Sequence, residues 1–282
     1  MIDDDIRRRG GLHAALLAKT VVPLFGVDPD VRGFRLQGSA TLAATRGGDV
    51  FLFTAGHVID NFSEGSPILT FLSAAGPPVL LAGEGFTSEP RFQRTKDHID
   101  LAFLTLTNKA VEALVTAGAE VADAAWLSLD NGATDVYAVI GYPLSINNPD
   151  FERTEEHGRV TVLNAEPHLI WGTTCDEIGY RRVKRSSFHN VVIQRQPPRA
   201  KDGQVRRSTD GMKDPKGMSG GAIFNLGPEA DLRRSVATMR LSGILTEYHR
   251  KTHRLIGANA RMMSDIFRRD EVSASLQHEH LE

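Results

Sequence analysis

The sequence predicts an all-β fold of two tandem β units, with a short helix near the N-terminal end and another near the C-terminal end. Short runs rich in β-branched and aromatic residues recur between clusters of Gly, Pro and Asn, the texture of a barrel or sandwich. A length of 282 residues suits two packed units of ordinary size. Cys175 is the only cysteine, so no intrachain disulfide can form and the units must be held by their cores.

Taken in order, residues 1–20 read as an N-terminal helical extension, because Leu12, Ala15, Leu16 and Ala18 recur near helical spacing. Residues 21–115 form the first β unit, with strand-like runs at 38–43, 50–54, 68–72 and 101–106. The Ala-rich stretch 110–125 can hold a helical turn between the halves. Residues 116–270 form the second unit, with runs at 135–141, 159–165, 189–194, 221–225, 241–247 and 255–259. Met262, Met263, Ile266 and Phe267 then predict a C-terminal helix packed back on that unit, and residues 271–282 read as a polar tail. From Arg181 to Lys216 eleven Lys or Arg stand against three Asp, with Pro197, Pro198 and Gly203 among them, which reads as a long solvated basic loop.

A formal net charge of −2 gives no general attraction for nucleic acid or membrane, so any specificity must be local. No run approaches the roughly 18 apolar residues of a membrane span. The chain opens on Asp3, Asp4 and Asp5, and its first apolar stretch, 12–17, is too short for a signal sequence. With a lone cysteine, the expectation is a cytoplasmic protein.

Chemistry concentrates at Gly217-Met218-Ser219-Gly220-Gly221, just before a strand-like run. A serine between glycines sits where the backbone turns tightly and no side chain blocks an approaching carbonyl. The amides of Gly217 and Ser219 can both point at a developing oxyanion, and losing one such donor typically costs about 10²–10³ in rate. Alone, the string also fits a Gly-rich β-turn. A serine hydroxyl needs a base before it can attack an amide. Of the ten histidines, His57 stands out because an apolar run, 51–53, leads through Thr54, Ala55 and Gly56 into it, leaving room to present an imidazole at a cleft. His157, His168 and His189 lie in polar connecting segments, and His249 and His253 flank a hairpin tip. The base needs an acceptor for its other ring nitrogen. Asp100 opens the apolar run 101–104, where a carboxylate needs a partner to offset its desolvation. Asp97, between Lys96 and His98, reads as solvated.

Together these strings resemble the trypsin-like (chymotrypsin-fold) serine peptidases, which carry histidine in Thr-Ala-x-His, aspartate in Asp-(Leu/Ile)-Ala and serine in Gly-x-Ser-Gly-Gly. All three occur here in the family's order, at His57, Asp100 and Ser219. Gly38-Ser39-Ala40, Val139-Ile140-Gly141-Tyr142-Pro143 and Ser242-Gly243-Ile244 extend the likeness over residues 21–267. The resemblance implies two six-stranded β-barrels of the chymotrypsin type, with His57 and Asp100 from the first and Ser219 from the second. It implies an endopeptidase that forms an acyl-enzyme on Ser219, with the Gly217 and Ser219 amides as oxyanion hole and no cofactor or metal. Its partner would be a protein or peptide substrate laid against exposed strand edges, with Ser242 and Gly243 beside it. The specificity pocket would fall at 212–216, where an inward Lys213 favours acidic side chains and an inward Asp214 favours Arg or Lys; the sequence leaves that choice open. Many secreted relatives have Asp before the nucleophile to receive a newly cleaved N-terminus. Met218 cannot do so, and without disulfides the chain resembles an intracellular bacterial member.

Three other readings compete. The string 217–221 also fits the nucleophile elbow of α/β-hydrolases, but that fold needs a helix after the serine and an acid and histidine further on. A trypsin-like fold can serve as a catalytically silent binding or scaffold module. The basic 181–216 region can dock a regulatory protein partner, whereas nucleic acid is disfavoured because few aromatic residues there can stack on bases. His249 and His253 stand four apart, yet Arg250, Lys251 and Arg254 around them oppose a cation.

Overall fold

The computed structural model describes residues 11, 15–28, 33–62, 66–72, 77–89, 97–129, 135–147, 150–154, 158–162, 165–196, 214–233 and 239–279. The first unit contains Val21–Asp28 (β1), Gly33–Ala44 (β2), Val50–Ala55 (β3), Leu69–Thr70 (β4), Val79–Leu80 (β5), Gly83–Thr87 (β6), Leu101–Leu106 (β7) and Ala122–Asp123 (β8). Seven of these lie in the order β5-β4-β1-β2-β3-β7-β6, and β8 adds in parallel to β2. The family resemblance implies a closed six-stranded barrel here. The structure has instead an open, curled sheet whose ends are β5 and β6. The cause is local: β4 and β5 have two residues each, and β6 is exposed along its length, too little apolar surface to close the sheet on itself. A one-turn helix, Gly56–Ile59 (α1), follows β3 directly.

Between the units, Asn108–Thr116 (α2) is a true helix, capped where the Thr107 side chain accepts a hydrogen bond from the Ala110 amide. The second unit contains Asp135–Gly141 (β9), Asp150–Thr154 (β10), Gly158–Val162 (β11), His168–Thr174 (β12), Asn190–Arg195 (β13), Ala222–Pro228 (β14), Arg240–His249 (β15) and Arg254–Asn259 (β16). Six close a barrel in the order β12-β13-β16-β15-β14-β9, while β10 and β11 pair as a separate hairpin. Glu177–Arg182 (α3) and Glu229–Arg233 (α4) are short surface helices.

The basic segment is not one solvated loop. Residues 181–182 end α3, and β13 runs through the barrel wall with Val191, Val192 and Ile193 wholly buried. Three apolar residues in succession supply that burial, and Arg195 is kept in the wall by lying over the Tyr248 ring at 5.8 Å. Residues 197–213 lie outside the described residues. The C-terminal helix, Ala260–Glu279 (α5), runs on across residues read as a polar tail. It also packs more widely than expected: Phe267 meets Phe51 at 5.3 Å and Phe53 at 5.8 Å, both in the first unit, while Met263 joins the same core as Leu241 and Ile244 of the second. One apolar core is thus shared by both units. Of the N-terminal extension, residues 15–17 are helical and lead into a 3₁₀ turn, Ala18–Thr20; most of the remainder lies outside the described residues.

Candidate active site

His57 enters the cleft because β3 stops at Ala55 and the chain turns at once into α1. The turn is fixed from across the sheet. Gly56 N donates to the Asp100 carbonyl at 2.8 Å, and His57 N donates to Asp100 Oδ1 at 3.0 Å. The second carboxylate oxygen, Oδ2, lies 2.6 Å from His57 Nδ1. Both main chain and ring of His57 are therefore held by one residue. The bond commits Nδ1 as donor and leaves Nε2 as the nitrogen able to take a proton. Asp100 is mostly buried and the imidazole is 42% exposed, so the pair faces solvent through the histidine.

Ser219 sits on a turn that only glycines can make. Met218 N donates to Pro215 O at 2.9 Å, closing a turn with Lys216 and Gly217 at its centre, and Gly217 has φ +95°. That positive φ at the third position is the signature of a type II turn. The Lys216 carbonyl is taken by Leu144 N at 2.7 Å. Since C=O and N–H of a trans peptide point opposite ways, this bond turns the Gly217 N–H away from Leu144. Among the described residues neither the Gly217 amide nor the Ser219 amide donates to a protein acceptor. Two amides without an acceptor among the described residues thus flank the serine hydroxyl. Gly220 N, by contrast, is taken by Leu245 O at 2.6 Å.

The first unit holds this turn. Ser39 N donates to Ser219 O at 2.8 Å, Ser39 Oγ donates to Gly217 O at 3.1 Å, and Thr41 Oγ1 donates to Gly220 O at 3.0 Å. Ser39 Oγ also accepts from Tyr142 N at 2.8 Å. Tyr142 itself is pushed up from the ordinary phenol range by burial and stays a neutral donor to Val21 O. Met218 is wholly buried among Val139, Ile170, Val191 and Ile223, so the turn is anchored by apolar contact.

His57, Asp100, Gly217 and Ser219 line one cleft of about 830 Å³ between the units. Within it the Ser219 hydroxyl is directed at the Thr246 carbonyl, 3.5 Å away. Ser242 and Gly243 do not reach the cleft: Ser242 is wholly buried, and a Cβ on Gly243 would overlap the Ala258 carbonyl. The same strand reaches it further on, at Leu245, Thr246, Glu247 and Tyr248. Counting from the Gly243-Ile244 strand signal finds the element but not the stretch that bends into the cleft. Asp214 lines the cleft and pairs with Arg250 at 2.6 Å, so it is not a bare carboxylate. Lys213 lies outside the described residues. Sequence reading missed Arg185, which spans the cleft wall from Glu247 (2.6 Å) to His98 (3.3 Å). Asp97, read from the sequence as solvated, is half-buried and accepts from the Ile99 and Asp100 amides.

Cys175 is away from the cleft, and burial raises its thiol pKa. His249 and His253 bond to Thr252 and Tyr248 respectively. Among the described residues no three His, Cys, Asp or Glu group as metal ligands.

No family model and no curated protein matches the chain. Solved structures do. Kallikrein-related peptidase 10 in complex with Zn²⁺ matches at 14% identity with a TM-score of 0.51, over 92% of this chain and 97% of that one. The serine protease domain of the Sesbania mosaic virus polyprotein matches at 12% identity with a TM-score of 0.44, over 86% and 90%. What the kallikrein likeness shows is the fold: a closed six-stranded barrel beside a curled half-barrel, as in the chymotrypsin-like serine proteases.

Proposed function

We propose that the chain is a serine endopeptidase that cleaves a protein or peptide substrate by acyl transfer to Ser219. The observation that carries the reading is the meeting, in one cleft, of a carboxylate-bound histidine with a serine flanked by two open amides. His57 takes the Ser219 proton at Nε2 as the hydroxyl attacks the scissile carbonyl. Asp100 holds the ring and stabilises the imidazolium, and the Gly217 and Ser219 amides receive the oxyanion. The proton then passes to the leaving amine, the C–N bond breaks, and water activated by the same nitrogen releases the acyl group. Substrate backbone lies along residues 246–248, beyond the last β14 partner of that strand, where it lines the cleft.

With Met218 in place of a charged residue and already buried, the turn needs no newly cut N-terminus, which supports constitutive competence. A cytoplasmic setting and an intracellular bacterial origin belong to the same proposal. A second reading, a silent binding module, is favoured by one observation: the Ser219 hydroxyl faces Thr246 O and must rotate to reach the imidazole. Such contacts often tighten only when substrate binds.

Incubation of the purified chain with a peptide library, read by mass spectrometry, decides between the two. The endopeptidase reading predicts new termini that vanish in Ser219→Ala, whose turnover falls by about 10⁶. Cleavage surviving at wild-type level in that variant contradicts it, and no cleavage by the wild type leaves the binding-module reading.

A further inference from the structure

Asp100 carries both bonds to His57 from an unusual conformation, φ +50°, which residues with side chains rarely hold unless their surroundings fix it. The fixing groups are visible. Asp97 Oδ1 accepts from Ile99 N at 2.9 Å and from Asp100 N at 2.8 Å. Asp97 Oδ2 accepts from Ser88 Oγ at 2.5 Å, and Ser88 Oγ in turn accepts from Leu101 N at 3.0 Å. Ser88 N donates to Leu101 O at 2.7 Å. The amides of Asp100 and of the residue on each side of it are thus all tied to one carboxylate and one hydroxyl.

The consequence reaches the imidazole. In this conformation Asp100 offers its carbonyl to Gly56 N and its two carboxylate oxygens to His57 N and Nδ1. An extended Asp100, the ordinary geometry at a strand entry, would turn carbonyl and carboxylate to different sides and could not make that three-point contact. We infer that Asp97 and Ser88 are positioning residues: they hold Asp100 in its left-handed conformation and, through it, orient His57. Its kinetic consequence rests on the endopeptidase reading; its structural consequence does not.

The test uses the full chain with Asp97→Ala, Asp97→Asn and Ser88→Ala, and two readouts. One is kcat and KM for a cleaved peptide. The other is the far-downfield NMR resonance of the His57 Nδ1 proton shared with Asp100, which needs no turnover. Asp97→Ala removes the acceptor for two amides, and kcat should fall on the order of 10²-fold with KM little changed; the resonance should disappear. Asp97→Asn keeps an oxygen in place and should restore both in large part, while Ser88→Ala should give a smaller loss in the same direction. The proposal is overturned if Asp97→Ala keeps the wild-type resonance and kcat, or if Asp97→Asn falls as far as Asp97→Ala. Should Asp97→Ala not fold, Ser88→Ala decides, and an unchanged resonance there overturns the proposal. Absence of Ser219-dependent cleavage in the wild type defeats the endopeptidase reading alone, and the resonance still judges the positioning.

Discussion

At Gly220 a side chain is excluded twice, by φ +90° and by the Ser39 carbonyl and Thr54 hydroxyl that an added Cβ would overlap. Gly220→Ala should therefore displace the Ser219 turn. We expect a fall of about 10²-fold or more in the rate of peptide cleavage and a loss of about 1–3 kcal/mol in unfolding free energy, measured by hydrolysis assay and urea titration. Arg250 acts differently. Its bond to Asp214 occupies a carboxylate that otherwise faces the cleft, so Arg250→Ala should raise cleavage beside Lys or Arg relative to other residues in a peptide library. An unchanged profile would show that Asp214 does not meet the substrate. The two residues differ in how far the sequence shows their roles. The glycine requirement follows from the motif, whereas the Asp214 partner comes from a hairpin 36 residues on and is invisible to spacing.

Among the elements, β2 contributes most to the site although it carries none of His57, Asp100 or Ser219. Its Ser39 hydroxyl joins Tyr142 N, 103 residues away, to Gly217 O, 178 residues away. Ser39→Ala would strand a buried amide and should cost about 1–3 kcal/mol, seen in urea unfolding, together with a lower kcat as the Gly217 turn loosens. Unchanged urea unfolding and kcat in Ser39→Ala would contradict this role of the hydroxyl. The sequence shows a strand at 38–43 but not this bridge, because hydrogen-bond partners at such separations leave no local pattern. Other elements divide in the same way. The runs at 101–106 and 135–141 coincide with β7 and β9, since continuous apolar residues between turn formers identify buried strands. The two-residue strands β4 and β5 are too short to show a period, and β12 mixes Trp171 with Gly172 and threonines. The run at 189–194 likewise coincides with β13, since Val191, Val192 and Ile193 stand in succession; the basic charge around it misleads only the reading of 181–216 as one solvated loop.

For the whole molecule, the two units are one body around a common core, and the cleft is the seam. Phe267 on the C-terminal helix packs against the stacked pair Phe51 and Phe53 of the half-barrel, while its helix also lies on the closed barrel. Met218 expresses the same economy beside Ser219, where its apolar contacts anchor the turn. Met218→Asp places a carboxylate among the buried Val139, Ile170 and Val191 and should destabilise the fold by about 3–5 kcal/mol, whereas Met218→Leu should change it by less than about 1.5 kcal/mol. Thermal unfolding of the two variants checks the contrast.

The central claim is that Ser219, His57 and the two open amides form a competent acyl-transfer site without prior cleavage. Reaction of the intact purified chain with a fluorophosphonate, followed by mass spectrometry of the intact protein and of its peptides, tests that most directly. The predicted result is one adduct, on Ser219, formed by the uncut chain, slowed strongly in His57→Ala and absent in Ser219→Ala. An intact chain that stays unlabelled, or labelling that persists undiminished in Ser219→Ala, would contradict it.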